Sequence, residues 1–288
     1  VKKFSKKLNK LLLESEKRTK NNNKLQISLA LNYGSKDEII HTVKKLIKNK
    51  KKINEYNIRK ALSGERGDGN KELSDLEEIG DNGLVEIANA LSNGAAARLT
   101  YLDLENSNIS DVGLQALSNS LSKGALGNLE KLYLHYNKIG DRGLEAFAGA
   151  LSKGALASLI VLYVDYNQIG DAGIIALADA LSKGALANLT SLILFNNQIG
   201  DVGMTEFSRA IASVSLANLQ TLNLAANEIS DAGMTEFSRA IASGSLAILE
   251  VLCLNVNQIS DEGIKAFASA IASGGLANLE VLDLNQNL

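Results

Sequence analysis

The sequence predicts an α/β solenoid: a horseshoe of tandem strand–helix units, with a parallel sheet on the concave face and helices on the convex face. Three observations predict it. An Ile-Gly/Ser-Asp triplet recurs every thirty residues, beginning at Ile79, Ile109, Ile139, Ile169, Ile199, Ile229 and Ile259. Within each period a short stretch alternates leucine with other residues, which is strand spacing, and a longer stretch places apolar residues at helical spacing. An Asn also returns in register, at Asn137, Asn167, Asn197, Asn227, Asn257 and Asn287. A unit this small cannot bury its apolar side alone, so neighbouring units must stack.

The elements before the repeats differ in kind. Residues 1–62 carry 18 Lys/Arg against 5 Asp/Glu, a balance of +13, whereas residues 63–288 carry 12 against 27, a balance of −15. So sharp a division reads as two units with different surfaces. In the first, Phe4, Leu8, Leu11 and Leu12 mark an amphipathic helix, and Leu25, Ile27, Leu29 and Leu31 mark a buried strand. Ser35 and Glu38 form a capping box that opens a second helix, with Ile39, Ile40, Val43, Leu46 and Ile47 as its stripe. Helix–strand–helix is a piece of an α/β fold. Residues 63–72 hold three glycines among polar residues and read as a linker. The array then runs from 73 to 288, with a truncated last repeat whose uncapped edge is expected to fray or self-associate.

The stretch from Leu129 to Ser158 illustrates one repeat. Leu132 and Leu134 alternate with Tyr133 as a strand, and Asn137 and Ile139 follow. Asp141 suits a helix N-cap, with Gly143 after it. Leu144, Phe147 and Leu151 fall at helical spacing, and Gly154 ends the helix. Strand leucines recur at Leu102 and Leu104, Leu192 and Leu194, Leu222 and Leu224, Leu252 and Leu254, and Leu282 and Leu284. Asp81, Asp111, Asp171, Asp201, Asp231 and Asp261 are expected to cap their helices as Asp141 does. An amide in the Asn column carries donor and acceptor together, so it can satisfy backbone groups where the chain leaves the strand. The first repeat has Ser107 instead.

With these motifs, residues 79–288 resemble the ribonuclease-inhibitor-like leucine-rich repeats, the class that also forms the sensor end of NOD-like receptors. The resemblance implies a surface for binding proteins. The first segment carries a second resemblance. Thr19 to Asn23, then Leu25 to Gly34, then Asp37-Glu38-Ile39 are similar to the middle of a cis-prenyltransferase of the undecaprenyl diphosphate synthase type, over residues 5–62. Asn32, Tyr33, Gly34 and Glu38 keep the family pattern, while Ser35 and Lys36 replace its Gly-Arg. The family's diphosphate-binding Asp-Gly-Asn segment lies upstream of this region and its Arg-rich segment downstream. Neither accompanies the match, so a non-enzymatic fragment is expected, with no cofactor and no bound Mg²⁺.

The candidate site lies on the strands. Residues flanking the strand leucines point to the concave face, and five of the seven tyrosines fall there. The expected partner-binding residues are Tyr101, Asp103, Tyr133, His135, Tyr136, Tyr163, Asp165, Tyr166 and Phe195. With strands about 4.8 Å apart, these rings should form one patch with the composition of an interface hot spot. The competing reading is that the tyrosines pack across strands and stabilise the sheet. His135, Tyr133 and Asp165 should meet, but no nucleophile or oxyanion site accompanies them, so no catalytic residue is assigned. No spacing matches a metal site.

The function these features predict is a protein-interaction scaffold. The alternatives are prenyl diphosphate transfer by the first segment, or nucleic-acid tethering through its basic charge. Few aromatics interleave that charge, so nucleic acid is not the expected partner. No apolar run approaches a membrane span, and Leu11, Leu12 and Leu13 after the first lysines are too few for an export signal. Cys253 is the one cysteine. It cannot form an internal disulfide, and a reducing, cytoplasmic setting is expected.

Overall fold

A computed structural model describes residues 79–94, 96, 98–213 and 216–288. The helix–strand–helix expected over residues 1–62, its capping box, the linker at 63–72 and the first residues of the array lie outside the described residues. Among those described, seven helices alternate with seven strands. They are α1 Gly80–Ser92, β1 Tyr101–Asp103, α2 Asp111–Leu121, β2 Lys131–Tyr133, α3 Asp141–Leu151, β3 Val161–Tyr163 and α4 Asp171–Ser182. There follow β4 Ser191–Ile193, α5 Asp201–Ser213, β5 Thr221–Asn223, α6 Asp231–Ala242, β6 Val251–Cys253, α7 Asp261–Ala272 and β7 Val281–Asp283.

The strands form one parallel sheet in the order β1 to β7. Each residue pairs with the one thirty positions later: Leu102 with Leu132, Leu132 with Leu162, Leu162 with Leu192, and so on. A slip of one residue would turn every strand leucine to solvent, so the apolar pattern holds the register. The ladder continues past each short strand, as in Leu104 N–H to Tyr133 O and Asn106 N–H to His135 O.

One continuous core joins the strand leucines, the triplet isoleucines and the inward stripe of the helices. Leu144, Phe147 and Leu151 of α3 are buried as their spacing requires, and Phe207, Phe237 and Phe267 repeat the ring beneath later helices. Each such side chain contributes roughly 1.5–3 kcal/mol by leaving water. At the last unit the packing thins: Ile271 is 37% and Leu282 39% exposed.

The helix starts correct the capping expectation. The N-cap of α2 is Ser110, whose Oγ accepts from Val112 N–H, and Asp111 already stands inside the helix. The aspartates cap the helix of the next unit instead. Asp81 Oδ1 accepts from Ser110 N–H at 2.8 Å and Gly113 N–H at 2.9 Å, while Ser110 Oγ donates to Asp81 Oδ2 at 2.6 Å. Asp141 serves Gly170 and Gly173, Asp171 serves Gly200 and Gly203, and Asp201 serves Ser230 and Gly233 in the same way. The reason is stacking. The first turn of each helix lies beside the next, and its carboxylate reaches the orphan amides at that positive end. This contact also explains the recurring glycine, since a Cβ on Gly143 would lie 2.6 Å from Asp111 Oδ1. Gly154 has a different role. At φ +86° it takes the left-handed turn that ends α3, its N–H bonding Leu151 O at 2.8 Å.

The Asn side chains bridge consecutive units. Asn137 Oδ1 accepts from Ser107 N–H and Ile109 N–H of the preceding unit, and its Nδ2 donates to Leu104 O and Leu134 O. Asn167, Asn197, Asn227, Asn257 and Asn287 repeat the pattern, each accepting from the triplet isoleucine before it. Ser107, at the start of the column, uses its Oγ to donate to Glu105 O.

Candidate functional site

The exact register turns columns of sequence into columns in space. Residues 103, 133, 163 and 193 form one row across the strand face, 105, 135, 165 and 195 the next, and 106, 136, 166 and 196 a third. In the first row Tyr133 stacks on Tyr163 at 4.8 Å, and Tyr101, from the neighbouring row of Lys131, meets the Tyr133 ring edge-on at 5.1 Å. In the third row Tyr136 stacks on Tyr166 at 4.0 Å, and Tyr166 meets Phe195 of the second row edge-on at 4.9 Å. His135 stands between the two ring groups, with its centroid 5.9 Å from Tyr133, 5.7 Å from Tyr136 and 6.2 Å from Tyr163. The rings therefore form two groups bridged by one imidazole. Tyr136 is the most open ring, at 46% exposed, and Tyr101, Tyr133, Tyr163, Tyr166 and Phe195 are half-buried.

The polar members sit among these rings. Tyr101 Oη donates to Asp103 Oδ2 at 2.9 Å, and Asp103 Oδ1 accepts from Glu105 N–H at 3.0 Å. Burial, followed by that hydrogen bond, raises the Tyr101 phenol above its ordinary value. His135 Nε2 lies 3.3 Å from Glu105 Oε1. Asp165, one strand further on, is not an open contact residue: it is 9% exposed. Its carboxyl is pushed up by burial, against the opposing pull of its own backbone amide and of His135. Neither Asp165 Oδ1 nor His135 Nδ1, both fully covered, has a hydrogen-bond partner. The polar partner of the imidazole is thus a carboxylate, and not a hydroxyl or thiol it could activate.

Sequence reasoning set Glu105, which flanks Leu104, on the concave face but left it out of the partner-binding residues, although its position thirty residues before His135 was the available signal. It also did not anticipate that Tyr136 and Tyr166 hold left-handed backbone, at φ 55° and φ 50°. Cys253 lies half-buried on β6, and burial raises its thiol, which makes it a poor nucleophile. Among the described residues no cluster of His, Cys, Asp and Glu is placed to hold a metal, and no helix is long and apolar enough to cross a membrane.

Comparisons with known proteins bear on both parts of the chain. Residues 1–77 match the undecaprenyl diphosphate synthase model of the prenyltransferase family, a longer stretch than the 5–62 read from sequence. No curated protein matches the chain. Among solved structures it is similar to an internalin from Listeria monocytogenes, at 24% identity and a TM-score of 0.38, over 75% of this chain and 63% of that one. The chain thus spans less than two thirds of the length of that protein. Leucine-rich repeat models match residues 98–118, 128–148, 155–178, 185–208, 215–238 and 248–268. With its thirty-residue period, its one parallel sheet and these six matched units, the chain belongs, over residues 98–268, to the leucine-rich repeat proteins.

Proposed function

We propose that the protein is a non-enzymatic interaction scaffold that holds a protein partner on the strand face, centred on β1 to β4. The observation that carries this reading is the aromatic surface itself: five tyrosines and Phe195 in contact across four strands, with His135 joining the two ring groups. Clustered, part-exposed tyrosines with a few charges are the composition of interface hot spots. The rival role is stacking for the benefit of the sheet. Exposure argues against it: Tyr136 leaves 46% of its surface open, where a ring serving only the sheet would be covered. The whole column holds left-handed backbone, with Asn106, Asn196, Ala226, Val256 and Gln286 at φ 46° to 57°, and Asn tolerates that conformation better than Tyr.

Replacing Tyr133, Tyr136, Tyr163 and Tyr166 with Ala should abolish capture of protein partners while the circular dichroism stays unchanged. The milder Tyr136→Asn, Tyr166→Asn pair should keep Tm within a few degrees and still lose capture. Unaltered capture by both variants refutes the proposal. The single, half-buried thiol fits a reducing compartment, which is where we place the protein.

A second reading rests on the prenyltransferase match over residues 1–77. It makes the first segment a transferase of prenyl diphosphates. Incubation of the full chain with isopentenyl and farnesyl diphosphates and Mg²⁺ decides it: the scaffold reading expects no chain elongation, and turnover would establish the transferase.

A further inference from the structure

The strand face carries more acid than base. Asp103, Glu105, Asp165 and Asp283 stand there against Lys131, with His135 between two of the carboxylates. Glu105, His135 and Asp165 occupy one row, and the stacked pairs Tyr133–Tyr163 and Tyr136–Tyr166 lie on either side of it. Asp165 is more than nine-tenths buried, and its Oδ1 is satisfied by nothing in the protein. A buried carboxylate oxygen left without a donor is expensive, and the position is kept acidic where the equivalent residues further along the row are Phe195 and Ala225.

We infer that this row is the seat of one arginine side chain of the protein partner, its guanidinium lying on the face of Tyr136 that Tyr166 leaves uncovered, beside Glu105 and above Asp165. The inference rests on the scaffold reading and adds the chemistry of its central contact. Tyrosine rings present a negative face to a cation. A planar guanidinium stacks on such rings and is more weakly hydrated than an ammonium, so it loses less on leaving water. Seated there, it acts on Asp165 through a low-dielectric layer of rings, where charges interact several-fold more strongly than in water. Glu105, half of whose side chain is open, supplies a carboxylate that it can reach directly.

The test uses the full chain and two small probes, acetyl-arginine-amide and its neutral isostere acetyl-citrulline-amide. Ring signals of His135 and the tyrosines, followed by NMR, should shift saturably with the arginine probe and not with the citrulline probe. Asp165→Asn and Glu105→Gln should each weaken the arginine response about tenfold. Glu105→Gln, at an exposed position, keeps the test valid should Asp165→Asn perturb folding. Equal responses to both probes, or an arginine affinity unchanged in both variants, overturn the inference. So does a partner captured through the tyrosines that acetyl-arginine-amide fails to displace, and in that case the scaffold reading survives. If the tyrosine variants leave capture unaltered, the scaffold reading itself has failed.

Discussion

Asp165 is the residue at which folding and binding pull apart. Burial holds its folded-state carboxyl above the unfolded value, so folding takes up a proton between the two. The charged form therefore destabilises the fold at neutral pH. Stability contributed at this site rises as pH falls through the raised folded value, and levels off below the ordinary carboxylate value of about 3.9. Asp165→Asn should raise Tm at about pH 7, with the gain shrinking towards about pH 4. Thermal melts of both proteins across that range check the sign; a variant less stable at neutral pH would contradict it. The same substitution is expected to weaken arginine binding, so one residue should trade stability for recognition. Cys253, raised by burial, should react with iodoacetamide more slowly than a free thiol at the same pH.

At the scale of the element, the fold is held by contacts that run from one unit to the next. Asn197 joins Ile169 N–H, Val164 O and Leu194 O, all buried; Asn197→Ala leaves Ile169 N–H unpaired and takes one of two donors from each carbonyl, which keep Asn167 Nδ2 and Asn227 Nδ2. A loss of about 1–3 kcal/mol is expected in urea titrations. A second Asn column provides the control: Asn218 Nδ2 donates to Ala187 O at an exposed site, and Asn218→Ala should cost less than about 0.5 kcal/mol. Equal losses would show that the buried ladder has no special role. Gly203→Ala tests the cross-unit cap, because the new Cβ would stand 2.6 Å from Asp171 Oδ1 and 3.0 Å from Asp171 Cα. A loss of about 1–3 kcal/mol follows from that overlap, whereas a harmless substitution would mean that the helix starts are free to separate.

For the molecule as a whole, each unit touches only its neighbours, so local stability follows local burial. Leu194 N–H and Leu224 N–H lie in the middle of the sheet, while Leu254 N–H pairs with β7, where Leu282 is 39% exposed. Hydrogen exchange should be slower at Leu194 and Leu224 than at Leu254 by about tenfold or more. Uniform exchange along the array would instead mark a single cooperative block. Most of this architecture was legible beforehand, because a strict period makes local pattern and global fold agree. Strand leucines such as Leu132 and Leu134 and helix residues such as Phe147 could be placed from spacing alone. The tyrosine columns were legible for the same reason: a parallel sheet in register brings residues thirty apart side by side. The caps were not. Asp141 at a helix start reads as the cap of its own helix, and nothing in one repeat says that its carboxylate turns to Gly170 and Gly173.

The order of residues by itself determined the solenoid, its register and the gathering of tyrosines on one face, since periodicity and the need to bury leucine leave no other arrangement. Only the tertiary structure decided what each polar group does there: that the aspartates serve the next helix, that Glu105 holds His135, and that Asp165 lies covered and unpaired. Those roles depend on distances between neighbouring units, and such distances are set by packing rather than by any single repeat.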